Sequence, residues 1–389
     1  MSEQLAYAIL TPHSLLRSRT GGIITRLVAR TGVDLVGARM FAPSPELVEE
    51  YAASIVSKAD PQEDRIQTLL RQYVLDQFSP DSAGRRKRVM MLLFHGEDAV
   101  AKVRKVVGQF SLGKRGGQSI RDTYGDLIMD EDGSVRYFEP AVFASPTVEE
   151  ADQKLKIWLK YSESDGGVLE NVVAYEPGEK PERTLVLLKP DNFKFASGRP
   201  GNMIDFFSRT GLFIVGIKLH RMSVAQALEF YGPVREILRT KLRGVVAAKA
   251  TAVLEKALGF AIPAPEAEKL GELLCPAFGE DQFENIVEFM SGRRPSQCPL
   301  EEREIPGTEK CIALVYDGID AVAKIRDVLG PTDPTKAPPG SIRREFGSNV
   351  MVNAAHASDS PENAQRELKI VNVGDNHLRR VAEAFYAKP

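Results

Sequence analysis

Short apolar runs alternate with amphipathic stretches through the second half of this chain. The runs at 184–188, 212–219 and 311–315 (TLVLL, LFIVGIKL and CIALV) have the length and composition of buried strands. The stretches NMIDFFSRT and DAVAKIRDVL place apolar residues on one helical face, and each ends at a glycine. A further helix is expected after Ser223, whose hydroxyl suits an N-cap, and a short strand and a helix are expected on either side of His356.

The order of these elements is strand, helix, strand, strand, helix, strand. It predicts an α+β fold of the ferredoxin-like type, βαββαβ, in which a mostly antiparallel sheet is covered by helices. The alternative is a doubly wound parallel sheet, for which we would expect a glycine-rich turn from the first strand into a helix. The sequence offers no such turn, so we favour the antiparallel fold.

The same pattern occurs twice along the chain. GEDAVAKVRKVVG at 96–108 matches GIDAVAKIRDVLG at 318–330, and the segments that begin SIR at Ser119 and Ser341 match at the same shift of 222 residues. Segments that match in the same order indicate a duplicated domain. We expect a first copy at 1–165, a linker at 166–182, and a second copy at 183–389 with a helical insertion at about 232–282.

Composition and charge narrow the class of function. With 43% hydrophobic residues the 389-residue chain can build two cores, and a net charge of −2 gives no broad attraction to nucleic acid or to an anionic membrane. Three cysteines without metal-like spacing favour a reducing compartment, and no run of about eighteen apolar residues suggests a membrane span. We therefore expect a cytoplasmic protein without a membrane or nucleic-acid partner, in which any phosphate site is local.

Four separated motifs in the second copy suit phosphate chemistry. They are LLKPD at 187–191, AVAKIRDVLGPTDP at 321–334, PGSIRREFG at 339–347 and NAAHASDS at 353–360. A neutral imidazole can act as a nucleophile at cytoplasmic pH, and cationic donors stabilise a phosphoryl group under attack. These motifs, in this order, resemble the active site of the nucleoside diphosphate kinases, and the resemblance covers most of residues 183–370.

The resemblance implies a catalytic role for five residues. His356 would be the phosphorylated nucleophile, Glu367 would orient its imidazole, and Ser358 would hydrogen-bond to that carboxylate. Lys189 would bind the ribose hydroxyl and the transferring phosphoryl group, and Tyr231 would lie close to that group. The implied nucleotide-binding residues are Lys189, Arg326, Thr332, Arg343 and Asn353 for the phosphates and ribose, and Phe283 and Ile286 as an apolar clamp on the base.

The implied activity is transfer of the terminal phosphoryl group from a nucleoside triphosphate to a nucleoside diphosphate by a ping-pong mechanism. Magnesium would be held through the nucleotide phosphates and by no protein ligand, and ATP, GTP and other nucleotides would serve. The alternative is a nucleotide-binding pseudoenzyme or regulatory module, because the family has a short turn where this chain has its helical insertion. That insertion would be a lid, an assembly surface or an obstruction. Ala357 and Arg344 also stand where the family has glycine.

Two structural interpretations remain open beside the catalytic one. Arg326, with Lys324, would form only a solvated helix face, or Ser358 and Asp359 would chiefly cap the helix that begins near Pro361. A near match to a P-loop at 108–115 ends in arginine where magnesium needs a hydroxyl group, so we reject it.

The first copy lacks most of the residues that the chemistry needs. Thr11 stands for Lys189, Phe110 for Thr332, Pro140 for Asn353, Phe143 for His356 and Lys154 for Glu367, whereas Arg104, Arg121 and Ser145 persist. Phenylalanine cannot accept a phosphoryl group, so we expect a structural or regulatory role for this copy. Because family members associate into dimers and hexamers, we expect the two copies to pair within the chain, with a homo-oligomer as a further option.

Overall fold

The computed structural model describes residues 3–58, 60, 62–110 and 116–387. The chain divides into two compact units, Met1–Leu219 with Ile312–Pro389 and His220–Cys311. The first unit contains the first expected copy and the second copy up to Leu219 and from Ile312, and the second unit contains the expected helical insertion. The boundaries of the copies themselves, at 165 and 183, stay a prediction.

The elements of the first half alternate strands and helices as the repeat requires. The strands are β1 (Glu3–Leu10), β2 (Asp34–Phe41), β3 (Val89–Glu97), β4 (Asp126–Met129), β5 (Val135–Glu139), β6 (Val142–Phe143) and β7 (Gly166–Gly167). The helices are α1 (Pro12–Leu16), α2 (Thr20–Arg30), α3 (Pro45–Ala53), α4 (Asp64–Gln77), α5 (Ala99–Val107), α6 (Ile120–Tyr124) and α7 (Val148–Lys160).

The second half repeats the order and has three long helices between β9 and β10. The strands are β8 (Glu182–Leu188), β9 (Phe213–His220), β10 (Cys311–Gly318) and β11 (Ala355–Ala357). The helices are α8 (Arg199–Ser208), α9 (Val224–Lys241), α10 (Arg243–Leu258), α11 (Ala264–Ser291), α12 (Ala321–Leu329), α13 (Ile342–Phe346), α14 (Pro361–Val371) and α15 (His377–Tyr386). Short 3-10 turns cover Pro190–Asn192, Pro295–Gln297, Leu300–Glu302 and Pro334–Lys336.

The two sheets have the same strand order. The first runs β6-β1-β3-β2-β7 and the second β11-β8-β10-β9, so they match once the short β7 is set aside. β1 pairs antiparallel with β3 and β6, and β8 pairs antiparallel with β10 and β11. The ferredoxin-like prediction is confirmed, and the doubly wound parallel alternative is excluded because neighbouring strands run in opposite directions.

The repeat extends to unusual backbone angles. α5 and α12 each follow an aspartate in the left-handed region, Asp98 with φ 52° and Asp320 with φ 55°. Both helices end at a glycine with positive φ, 86° at Gly108 and 81° at Gly330, where a side chain would strain the backbone. Angles that few residue types adopt are reproduced 222 positions apart, which supports the duplication.

Helices α2 and α8, one from each copy, pack together within the first unit. The carboxylate of Asp205 on α8 accepts hydrogen bonds from the backbone N–H groups of Gly21 and Gly22 in the first turn of α2. A Cβ atom at Gly201 would lie 2.2 Å from the carbonyl oxygen of Gly21, so the two backbones approach as closely as only glycine allows. Since no side chain of the preceding residue caps α2, the cap comes from the other copy.

The last helix of the chain completes the core of the first copy. Leu378 and Ala382 of α15 are buried in the cluster that surrounds Trp158, and α15 lies against β2. Arg39 of β2 donates hydrogen bonds from Nη1 to the backbone carbonyls of Gly374 and Asp375, both at 3.1 Å. The first copy is therefore held partly by residues that come last in the sequence.

The second unit is built around the three long helices. α9 begins with a capping box in which Ser223 and Gln226 satisfy each other's backbone N–H groups, so the predicted N-cap is confirmed. α11 packs against both α9 and α10, and a Cβ atom at Gly279 would lie 2.6 Å from the Arg239 backbone. The bounds expected for the helical insertion, about 232–282, stay a prediction. Among the helices of the described residues, none has the length and hydropathy to cross a membrane.

Candidate active site

His356 lies on β11, where it is paired with Leu187 of β8. A tight turn then leads into α14, and this strand-turn-helix arrangement brings Glu367 back to the histidine. The imidazole Nε2 lies 2.9 Å from Oε2 of Glu367, and the Ser358 hydroxyl donates to the same oxygen at 2.7 Å. Glu367 and Ser358 are buried, whereas the histidine side chain is 22% exposed. The ring is thus fixed from inside and open to solvent on one side.

The Glu367 contact determines the tautomer of His356. A carboxylate can only accept hydrogen bonds, so Nε2 must carry the proton that it shares with Oε2. In a neutral imidazole the lone pair then belongs to Nδ1. Arg366 lies 3.5 Å from the other carboxylate oxygen, Oε1. The arrangement can deliver Nδ1 as a nucleophile.

Lys189 directly follows the last residue of β8, and it is 8% exposed. Its Nζ donates to Oδ1 of Asn353 at 2.7 Å, and its backbone N–H donates to the carbonyl of Ala354 at 2.9 Å. Burial, together with the positive charge of Arg343, lowers the pKa of Lys189 from 10.5 to about 8. A buried ammonium group next to a second cation is stabilised by an anion, and a phosphate would supply one.

Arg343 is held by the backbone around it. Its two terminal nitrogens donate to the carbonyls of Gly330 (3.0 Å) and Ala355 (3.2 Å), which fixes the guanidinium beside the histidine strand. A Cβ atom at Gly347 would lie 2.6 Å from the Arg343 carbonyl and 3.2 Å from Cα of Asn353, so this turn requires glycine. The loop after α12 is thereby locked against β11.

Arg326 lies on α12, Thr332 lies in the loop that follows this helix, and Asn353 lies two residues before β11. Asn353 donates to the carbonyl of Thr332 at 3.1 Å, while the Arg326 and Thr332 residues are exposed. Exposed cationic and hydroxyl groups beside a fixed arginine are available to a solvated ligand. These contacts join Lys189 to Asn353 and Asn353 to Thr332, and they place Arg343 next to Ala355, the neighbour of His356.

Three polar residues near Lys189 were not singled out from the sequence. Asn192 is buried and donates from Nδ2 to the carbonyls of Lys189 and Ala354, which pins the turn to β11. Arg199 donates to Oδ1 of Asn192 and lies 3.7 Å from Asp191. Burial raises the pKa of Asp191, against the opposing charges of Lys189 and Arg199. The LLKPD motif pointed to this turn, but nothing in the sequence linked it to Arg199.

The two residues that replace glycine are accommodated. Ala357 pairs with Val186 inside β11, and its φ lies outside the left-handed region. Arg344 is exposed, so its side chain leaves the carbonyl contacts of Arg343 intact. Neither replacement disturbs the local geometry.

The proposed capping role of Ser358 and Asp359 was wrong. The N-cap of α14 is Ser360, whose hydroxyl accepts from the backbone N–H of Asn363 at 3.1 Å. Ser358 lies two residues too early in the turn and uses its hydroxyl for Glu367, while Asp359 accepts from the Asn363 side chain. Ser358 therefore belongs to the histidine site.

Tyr231, Phe283 and Ile286 lie in the second compact unit. Tyr231 is buried on α9, Phe283 is buried on α11, and Ile286 is half-buried. The guanidinium of Arg235 lies over the Phe283 ring at 5.4 Å from its centre. Their assignment to transferring group and base stays a prediction.

The first copy fills the equivalent site with its own side chains. Phe143 pairs with Ile9 on the sheet, the position that corresponds to His356 and Leu187. It packs in an aromatic cluster with Tyr51, Tyr73 and Phe78. The position that corresponds to His356 therefore holds a phenyl ring, which cannot accept a phosphoryl group.

The side chains at other replaced positions of the first copy also bind to groups within that copy. Thr11, at the position of Lys189, donates to Glu139 at 2.9 Å, and Tyr73 donates to the same carboxylate. Lys154, at the position of Glu367, forms a buried ion pair with Glu150. The near P-loop at 108–115 lies largely outside the described residues, which omit 111–115.

Comparisons with known proteins agree with these features. The family model for nucleoside diphosphate kinase matches residues 4–164 and 303–375, more than half of the chain. The nucleoside diphosphate kinase of Staphylothermus marinus is 30% identical over 190 residues, which cover 49% of this chain and 92% of that protein. That of Parafrankia sp. is 31% identical over 189 residues, covering 49% and 93%.

Solved structures give a further similarity. A crystal form of the Aquifex aeolicus nucleoside diphosphate kinase is 29% identical over 49% of this chain and 95% of that chain, with a TM-score of 0.32.

Proposed function

This chain belongs to the nucleoside diphosphate kinase family, and from that premise we propose that its second copy transfers phosphoryl groups through Nδ1 of His356. The observation that carries the proposal is the fixed, partly exposed imidazole whose Nε2 is bound to Glu367. Buried Ser358 and nearby Arg366 support that carboxylate, so the ring is oriented before any substrate arrives.

The reaction has two matching halves. The Nδ1 lone pair attacks the terminal phosphorus of a nucleoside triphosphate, an N–P bond forms, and the bond to the bridging oxygen breaks to release the diphosphate. A terminal oxygen of a second nucleoside diphosphate then attacks the phosphohistidine, and the N–P bond breaks. The proton on Nε2 stays in place, and the carboxylate of Glu367 offsets the positive charge that the ring gains.

The cationic groups stabilise the group in transfer. Lys189 and Arg343 lie against the histidine strand, and the exposed residues Arg326 and Thr332 supply a guanidinium and a hydroxyl group. Phosphoryl transfer depends mainly on positioning and on charge stabilisation, which such a set supplies. Asn353 and Lys189 hold the ribose hydroxyl, and Lys189 also meets the transferring group.

Nucleoside tri- and diphosphates are the substrates, with ATP and GTP among them. Within the parts of the chain that the structure describes, no group of three or more His, Cys, Asp or Glu side chains converges on a metal position. The resemblance to the family implies that magnesium comes bound to the nucleotide, where it neutralises phosphate charge. The assignments of Tyr231 to the transferring group, and of Phe283 with Ile286 to the base, rest on the resemblance and stay a prediction.

The first copy has a structural role in this proposal. It pairs with the second through α2 and α8, and this pairing replaces a contact between two separate subunits. The cap that Asp205 gives to α2 and the packing of α15 support such a role. The chain works in the cytoplasm, where its three cysteines stay reduced as the buried free thiols of the structure.

Incubation with magnesium and ATP labelled on the terminal phosphate tests the proposal. We expect an acid-labile, base-stable label that nucleoside diphosphate removes, and no label in His356→Ala. His95→Ala is a matched control, because His95 also lies beside a carboxylate, Glu3 at 3.2 Å, but far along the chain from the motifs. Label that persists in His356→Ala refutes the mechanism, and nucleotide binding without any label supports the pseudoenzyme.

A further inference from the structure

The arginine pair of the first copy is arranged like that of the second. Arg121 donates its two terminal nitrogens to the carbonyls of Gly108 (3.0 Å) and Val142 (3.1 Å). These are the counterparts of the two carbonyls that hold Arg343. The first copy has therefore kept the backbone frame that presents a guanidinium to a phosphate.

The two copies differ in the exposure of the arginine pair and in the side chains that contact it. Arg104 is 8% exposed, whereas its counterpart Arg326 is exposed. Oδ1 of Asp60 lies 3.4 Å from Nη2 of Arg104, and Oε1 of Gln62 accepts from Nη1 of Arg121 at 3.2 Å. One carboxylate oxygen and one amide oxygen thus occupy positions where an oxyanion would meet two guanidinium groups.

The charges of this buried cluster do not balance. Among the described residues it holds the cations Arg104, Arg121 and Lys154 against the carboxylates Asp60 and Glu150. All five are buried or have side chains under one tenth exposed. Burial, followed by the charge of Arg104, lowers the pKa of Arg121 to about 9. An excess buried positive charge is costly, so the cluster attracts a further anion.

Two buried N–H donors of the arginine pair also favour the binding of a further anion. The Nε–H groups of Arg104 and Arg121 are buried and have no hydrogen-bond partner among the described residues. A carboxylate offers two oxygens, whereas a diphosphate offers more acceptors and more negative charge to the same two guanidinium groups. The existing occupants satisfy this pair only in part.

We propose that Arg104 and Arg121 form a second oxyanion site, of the diphosphate class, which Asp60 and Gln62 hold closed from within the chain. Asp60 provides the negative charge that competes with an external anion, and Gln62 provides the neutral acceptor. The site is independent of His356, so it does not rest on the proposed kinase mechanism.

The single tryptophan of the chain gives a local readout. Trp158 lies in the first copy with its ring centre 5.1 Å from that of Tyr51, and the charge of Arg121 acts on Tyr51. Titration with inorganic pyrophosphate, without magnesium, can therefore be followed by tryptophan fluorescence. We expect a weak response in the wild type and a saturable one in Asp60→Asn, with a midpoint at least tenfold lower.

Matched variants separate the two anion sites of the chain. Arg104→Gln in the Asp60→Asn background should abolish the response, while Arg343→Gln in that background should leave it. Asp132→Asn, at an exposed turn of the first copy, should behave as the wild type.

Circular dichroism establishes that each variant is folded. If Asp60→Asn does not fold, Gln62→Ala must lower the midpoint instead, because it removes the other occupant. A midpoint unchanged in the folded variant, or a response that survives Arg104→Gln, overturns the proposal.

Discussion

Replacing Lys189 by methionine should stabilise the protein at pH 7, destabilise it near pH 10.5, and abolish phosphoryl transfer. Methionine keeps the length of the side chain and removes its charge from a site that is 8% exposed. The fall in the pKa of Lys189 from 10.5 to about 8 corresponds to about 3 kcal/mol by which the folded state disfavours the ammonium form at neutral pH. Loss of the donor to Oδ1 of Asn353 costs about 1–2 kcal/mol. The variant should thus be more stable at pH 7, by about 1–2 kcal/mol.

The sign of the effect reverses with pH. Below pH 8 the lysine is protonated in both the folded and the unfolded chain, so the wild type carries the whole penalty. Between pH 8 and 10.5 the folded lysine loses its proton first, the unfolded chain binds more protons, and the wild type gains stability. Near pH 10.5 only the lost hydrogen bond remains, so methionine should be destabilising there by about 1 kcal/mol.

Urea denaturation followed by circular dichroism at pH 7, 9 and 10.5 measures this difference. Lys194→Met is the control, because Lys194 is exposed two residues beyond the 3-10 turn after Lys189 and should show no such reversal. The Lys189 variant should also fail to transfer phosphate although it is the more stable protein at pH 7. A stability difference that stays constant across the three pH values refutes the argument from burial.

Three further substitutions test other contacts. Glu367→Gln should slow phosphorylation of His356 by about 10- to 100-fold in rapid-quench experiments, since the charge beside the ring is lost, and an unchanged rate would argue against that role. Phe143→His should add no second phosphohistidine, because Thr11 and Lys154 replace the supporting residues, and a raised label stoichiometry would contradict this. Asp205→Ala should lower the free energy of unfolding by about 1 kcal/mol and Asp205→Asn by much less, and equal losses would exclude the capping role.

Much of the second copy could be predicted from local pattern. Glycines at 211 and 330 end helices because the chain must turn there, and the structure has both with positive φ. The ten residues between His356 and Glu367 are enough for the end of a strand, a turn and two helical turns, which is the path observed. Such features depend on neighbours in sequence, so they are visible in the sequence.

Features that depend on distant partners were not visible. α15 has an apolar face, but the sequence does not show that this face packs on the core of the first copy. Asp60 and Gln62 lie in a stretch with no equivalent in the repeat alignment, so nothing linked them to Arg104 and Arg121. Ser360 was missed as N-cap because three candidate residues, Ser358, Asp359 and Ser360, stand in a row before Pro361, and only the turn geometry selects one.

The placement of α15 has a consequence for biosynthesis. A ribosome releases the amino-terminal half first, yet Leu378 must arrive before the cluster around Trp158 is complete. At about 5–20 residues per second, the nascent first half waits on the order of ten to forty seconds with part of its interior uncovered. We therefore expect chaperones to bind nascent chains that are halted before codon 378, at the part of the first-copy core that α15 would cover. The finished protein should no longer bind them after its release.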